Sequence, residues 1–71
     1  MEKLKYREVE SSNIKAVAHD DNTLFVQFLN GSTYKYFGVP IEKFEELVDA
    51  ASCGKYLNNA IKPNYKFEKV A

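Results

Sequence analysis

Tyr34-Lys35-Tyr36 places two aromatic rings and a cation within three residues. On a strand the tyrosines would share one face, about 7 Å apart at a rise of ~3.3 Å per residue. Exposed, they form a stacking platform, on which each nucleobase contributes ~1–3 kcal/mol whatever its identity. Buried, they are core rings whose hydroxyls reach a partner at the rim. A second group is Ser52-Cys53-Gly54-Lys55-Tyr56-Leu57-Asn58. If Ser52 caps a helix, the N–H groups and partial positive charge at that helix start suit a phosphate. Lys55 then adds a point charge, Tyr56 a further ring, and Asn58 or Asn59 a hydrogen bond to a base or sugar. The plainer reading is an ordinary helix entry with a solvated lysine. The group is not a P-loop, because the second glycine and the flanking Ser/Thr are missing.

Other reactive side chains promise less. A nucleophilic Cys53 needs a nearby base and a lowered pKa, and the only histidine, His19, lies on another element. One cysteine and one histidine cannot close a zinc site, which usually takes four ligands. Glu42, Glu45, Glu46 and Asp49, with Lys43 among them, read as a solvated helix face rather than a metal site. The tail from Lys62 to Lys69 alternates basic and aromatic residues, so it can clamp a ligand or a neighbouring subunit, or simply pack as a last strand. No catalytic set and no cofactor motif emerges, so the chain is read as a non-enzyme.

The bulk numbers narrow the field. Seventy-one residues make one domain, spanning 1–71, with 45% hydrophobic residues and 14% aromatics, enough for a folded core. Ten Lys/Arg balance ten Asp/Glu. A long polyanion needs a clear local excess of cations, because such binding neutralises ~6–10 phosphates. Any phosphate ligand is therefore expected to be compact: a nucleotide, a cyclic or short oligonucleotide, or a few nucleotides of single-stranded RNA. A core this small seldom supplies more than ~3–5 kcal/mol, and a single cysteine cannot staple it, so a homo-oligomer is expected. Its subunit interface would be a natural place for a pocket. No apolar run approaches the ~20 residues of a membrane span. The charged start lacks a secretory pattern, which leads to a cytoplasmic expectation.

These residues need elements to position them. Leu4, Tyr6 and Val9 fit a short edge strand or a loose arm. Ser11-Ser12-Asn13 is a turn, Ile14 to Ala18 a strand, and Asp20-Asp21-Asn22 the next turn. Thr23 to Leu29 alternates as a strand, and Ser32 to Phe37 returns from it after Asn30-Gly31, a strong hairpin signal. A two-residue turn would set Tyr34 and Tyr36 beside Phe25 and Gln27. A three-residue loop with Gly31 left-handed would set Tyr34 opposite Val26 and Tyr36 opposite Leu24. The second register separates apolar from polar better and is preferred, because a one-residue slip moves every side chain to the other face. Pro40 suits a first helical position. Ile41, Phe44, Leu47, Val48 and Ala51 then share a helical face. Ser52 opens a second helix through Tyr56, Leu57, Ala60 and Ile61, which Pro63 stops. Tyr65, Phe67 and Val70 alternate and can add a strand. The expected fold is α+β: an antiparallel β-meander of three or four strands, followed by two short helices packed on one face.

In order, the chain carries Ser11-Ser12-Asn13-Ile14, Leu24-x-Val26-x-Phe28, Asn30-Gly31, Tyr34-Lys35-Tyr36, Gly38-Val39-Pro40, Ala51 to Asn58, and Ile61. That order and spacing resembles the KTSC domain, a family named from the C-terminal extension of some lysyl-tRNA synthetases and marked by a central Tyr-x-Tyr. The likeness covers roughly residues 9 to 65. His19 stands where the family has an aromatic, and Leu57 where it has Phe. The resemblance implies RNA binding and brings no catalytic residues. It also implies a docking role, in which a stand-alone copy would be an adaptor or a small inhibitor, including one encoded by a phage and acting in the host cytoplasm. The expected ligand-binding residues are Tyr34, Lys35, Tyr36, Ser52, Gly54, Lys55, Tyr56 and Asn58.

Overall fold

A computed structural model describes residues 5–9 and 11–70. Among them, five strands form one antiparallel sheet in chain order: β1 (Arg7–Glu8), β2 (Ile14–Asp20), β3 (Thr23–Phe28), β4 (Thr33–Phe37) and β5 (Phe67–Lys69). Helices α1 (Ile41–Asp49) and α2 (Cys53–Tyr56) lie between β4 and β5, and a π-helical turn over Leu57–Ile61 continues α2. The α+β architecture is the expected one. The strand count is corrected from three or four to five, because both termini pair at the sheet edges. Leu4, part of the expected N-terminal strand, lies outside the described residues.

The β3–β4 hairpin takes the three-residue loop. Val26 pairs with Tyr34 and Leu24 with Tyr36. Phe28 N–H donates to the Ser32 carbonyl at 2.8 Å, and Gly31 N–H donates to the Phe28 carbonyl at 3.0 Å. Gly31 sits at φ 96°, where a Cβ is strained, so glycine is the residue this loop requires. The β2–β3 turn is tighter. Asp20 pairs with Thr23, leaving Asp21 and Asn22 at φ 51° and 59°. Two successive left-handed residues make a type I′ turn, which Asp and Asn tolerate better than other non-glycine residues.

Strand β2 contains a bulge. Ile14 pairs with Phe28 and Ala16 with Gln27, so Lys15 is the extra residue. Strict alternation would have put Lys15 on the inner face and Ile14 outside. The bulge reverses that phase, and Ile14 joins Val17, Val26 and Leu24 inside. Phe44, Leu47, Cys53, Leu57 and Ile61 of the helical segment cover that face, with Tyr36 and Val39 between them. The other face carries Phe25, Gln27, Thr33, Lys35 and Phe37, which are half-buried or exposed.

Helix α1 begins one residue later than expected. Pro40 is its N-cap at ψ 158° rather than its first helical residue. Ile41 is exposed, and Ala51 lies beyond the helix end and is exposed too, so the inward stripe is narrower than the spacing implied. Val39 anchors this entry. Its N–H donates to the Asn22 carbonyl at 2.8 Å, and its carbonyl accepts from His19 Nε2–H at 2.6 Å. The carbonyl acceptor sets the tautomer. The His19 ring also packs on Phe44, 5.5 Å between centroids. Histidine thus keeps an aromatic contact at the position where the family resemblance led us to expect a different ring. Leu57, the other departure, is fully buried in the core.

Candidate functional site

The helices do not cover the whole inner face. At the end of the sheet nearest the Asn30-Gly31 loop they leave a cleft of about 590 Å³, within the ~300–1,000 Å³ usual for small-molecule sites. Its floor is aromatic: Phe28, Tyr34, Tyr36 and Phe67. The register puts them there, because Phe28, Tyr34 and Tyr36 share the inner face and Phe67 pairs with Tyr36. Phe28 meets Tyr34 edge-on at 5.6 Å, and Phe67 lies 5.8 Å from Tyr34 and 5.6 Å from Tyr36. Phe67 is exposed, whereas Tyr36 is 1% exposed and belongs to the core. Burial pushes the Tyr36 phenol up, and Tyr34 beside it pushes the same way. The platform is therefore not the two-tyrosine stack of the open reading. Tyr36 supports from below, Tyr34 is half-buried, and Phe67 offers the open ring.

Polar groups line the walls. Ser12 and Asn13 stand on one side, and Asn30 stands beside Leu29 in the hairpin loop. The turn at residues 11–14 is held by the Ser11 hydroxyl, which accepts from the N–H groups of Asn13 and Ile14. Asn30 Oδ1 accepts from Ser32 N–H at 3.0 Å, and its amide N–H₂ is left free of that bond. Among the described residues Lys62 supplies the only charge in the lining, with Nζ 5.9 Å from the Phe28 ring centroid. The π-helical turn brings it there. Lys62 N–H donates to the Leu57 carbonyl, five residues back, at 2.8 Å. Such turns are rare, and they are frequent at functional sites.

Of the residues expected to bind, Tyr34 and Tyr36 line this cleft and the others do not. Lys35 is on the opposite face, 3.4 Å from Glu68 and 5.3 Å from the Phe37 ring centroid. Ser52 does cap α2, accepting from Lys55 N–H at 3.4 Å, which occupies one donor the phosphate reading needed. Lys55 and Asn58 are exposed away from the aromatic floor. Gly54 faces the turn that bears Asn13; a Cβ there would meet Ser11 Oγ at 3.4 Å. Tyr56 belongs to a separate groove lined by Glu42, Glu45, Glu46 and Asp49, whose charge repels phosphate. Its hydroxyl donates to the Glu46 carboxylate, and burial together with that bond holds the phenol up at about 12. Cys53 is buried, its thiol donates to the Leu47 carbonyl at 3.1 Å, and burial pushes its pKa up.

Sequence reasoning missed Phe28, Phe67, Lys62, Asn13 and Asn30 as one group. The alternating basic and aromatic tail was the signal for Lys62 and Phe67. Only the pairing of β5 with β4 turns that tail into a wall of the cleft. Among the described residues no helix is long and apolar enough to cross a membrane.

A five-stranded antiparallel meander, two helices on one face and an aromatic cleft at the uncovered end define a small α+β domain. The sequence profile of the KTSC domain matches residues 10–65, and the chain belongs to the KTSC domain family. It is 40% identical over 60 residues to a protein of Tsukamurella paurometabola, covering 82% of this chain and 90% of that one. It is 41% identical over 64 residues to the lysine–tRNA ligase of a Nostoc species, covering 87% of this chain but only 11% of the ligase. The crystal structure of a KTSC domain protein from Yersinia pestis superposes with a TM-score of 0.87 at 32% identity, covering 97% of this chain and all of that one.

Proposed function

We propose that this domain is a non-enzymatic binding module that captures a compact nucleotide-type ligand in the aromatic cleft. The supporting observation is the combination of lining groups: an exposed phenylalanine ring backed by two tyrosines, side-chain amides at the rim, and one lysine. Stacking on such a ring tolerates any base. The amides can meet base edges or the sugar, and the lysine a phosphate. Relatives named lysine–tRNA ligase carry this domain as a small part of their length, which supports a ligand of nucleic-acid type and a cytoplasmic setting. The test is a calorimetric titration with nucleotides, cyclic nucleotides and short single-stranded RNA. Binding by at least one, weakened by Phe67→Ala, is expected; heat from none of them rejects the reading.

A second reading is a protein-interaction module or small inhibitor. Leu29, Phe37, Ile41, Phe67 and Val70 are all large, apolar and exposed, the kind of surface a partner or a second copy covers. A stoichiometric protein partner that survives nuclease treatment and is lost on Phe37→Ser, away from the cleft, would favour it.

A further inference from the structure

We propose that the cleft reads one base and one phosphate, so that a nucleoside monophosphate, free or as one unit of a single strand, makes every contact the site offers. This rests on the nucleotide reading above and specifies its ligand. The three aromatic pairs of the floor are in mutual contact at 5.6–5.8 Å. No ring pair is open enough to admit a base between its members. The base is therefore placed on the outer face of Phe67, the exposed ring of the floor.

The charge count gives the phosphate number. Among the described residues the lining carries one cation, Lys62, and no carboxylate. Lys62 is the one described lysine that lines the cleft. Lys35 is bound to Glu68 on the far face, and Lys43 lies 3.8 Å from Glu46 on α1. Lys55 is on α2, outside the cleft. Lys69 is in register with Tyr34, yet it does not line the cleft. A second or third phosphate would meet no further cation in that lining. The site is thus unsuited to gain from a polyphosphate, and its binding should depend only weakly on salt.

The test is an NMR titration of the intact chain with adenosine, AMP and ATP at several salt concentrations, following the ring protons of Phe28, Tyr34 and Phe67. A solvated lysine–phosphate pair is worth about a two- to fivefold gain, so AMP should bind that much tighter than adenosine. ATP should match AMP within about twofold. AMP affinity should fall only slightly as salt rises, as screening of one exposed charge pair requires. Lys62→Ala should bring AMP down to adenosine, while Lys69→Ala should leave AMP binding unchanged. Two results overturn the one-phosphate inference while leaving the nucleotide reading intact. One is ATP binding more than about tenfold tighter than AMP, with an affinity that falls steeply as salt rises. The other is adenosine matching AMP. Ring protons that respond to none of the three probes overturn both.

Discussion

Phe67 offers a way to separate stability from binding at the same ring. It is 55% exposed, so a little under half of its surface is buried, against Tyr34 and Tyr36. Full burial of a phenylalanine is worth up to ~3 kcal/mol, and partial burial here about 1 kcal/mol. With the lost ring–ring contacts, Phe67→Ala should cost roughly 1–2 kcal/mol. For a chain this short each kcal/mol moves the melting temperature by ~4–8 °C. The ligand should lose the stacking contribution of ~1–3 kcal/mol, about five- to 150-fold in Kd. The two effects are distinguished by Phe67→Leu, which keeps apolar bulk over the tyrosines but removes the flat ring. It should recover most of the stability and little of the affinity. Urea unfolding gives the first quantity, and calorimetric titration at a temperature where every variant is folded gives the second. If Phe67→Leu binds as tightly as the native protein, the base does not stack on residue 67.

Tyr56 is held up at about 12 by burial and the Glu46 bond, above its ordinary 10.0, so folding favours the neutral phenol. That stabilisation is complete below pH ~10 and is lost as the pH rises towards 12. Tyr56→Phe should therefore flatten the stability profile in that alkaline window, as urea midpoints across it would record. Cys53, buried and pushed up, should resist thiol reagents in the native state and react at once in denaturant, which a colorimetric thiol assay reads. Gly31→Ala forces a Cβ onto a φ of 96° and should cost about 1–2 kcal/mol by urea unfolding. Light scattering at high concentration should report a mass above the 8.2 kDa of one chain; a monomer would withdraw self-association and any pocket between subunits.

Much of this architecture is written in local patterns. Leu24, Val26 and Phe28 alternate, Asn30-Gly31 turns the chain, and together they place Tyr34 opposite Val26, as the structure has it. Ser52 has the side chain a helix start needs, and it does cap α2. What escapes local patterns is phase and distance. One extra residue at Lys15 shifts Ile14 to the inner face, and nothing in Ser11-Ser12-Asn13-Ile14 announces a bulge there. The five-residue hydrogen bond to Leu57 sets where Lys62 stands, yet Leu57 to Ile61 reads as ordinary helix. The lysine nearest the tyrosines in sequence, Lys35, is on the wrong face, because neighbours on a strand point apart. The lysine that reaches their cleft is Lys62, far along the chain.

The pairing of β5 with β4 has a kinetic consequence. The other strand pairs join neighbours across short turns, whereas Phe67 meets Tyr36 only after the chain has passed through both helices. For a flexible chain, closing a loop of that length rather than a hairpin costs about 2 kcal/mol in entropy. The last strand should dock late in folding and open first in the native state. Two amide protons report on it: Phe37 N–H, bonded to the Lys66 carbonyl at 2.8 Å, and Val70 N–H, bonded to the Thr33 carbonyl at 2.7 Å. They should exchange with solvent sooner than amides between β2 and β3. Since Phe67 and Lys62 flank that seam, an occupied cleft would latch it, and hydrogen exchange at these two amides would slow without any change of fold.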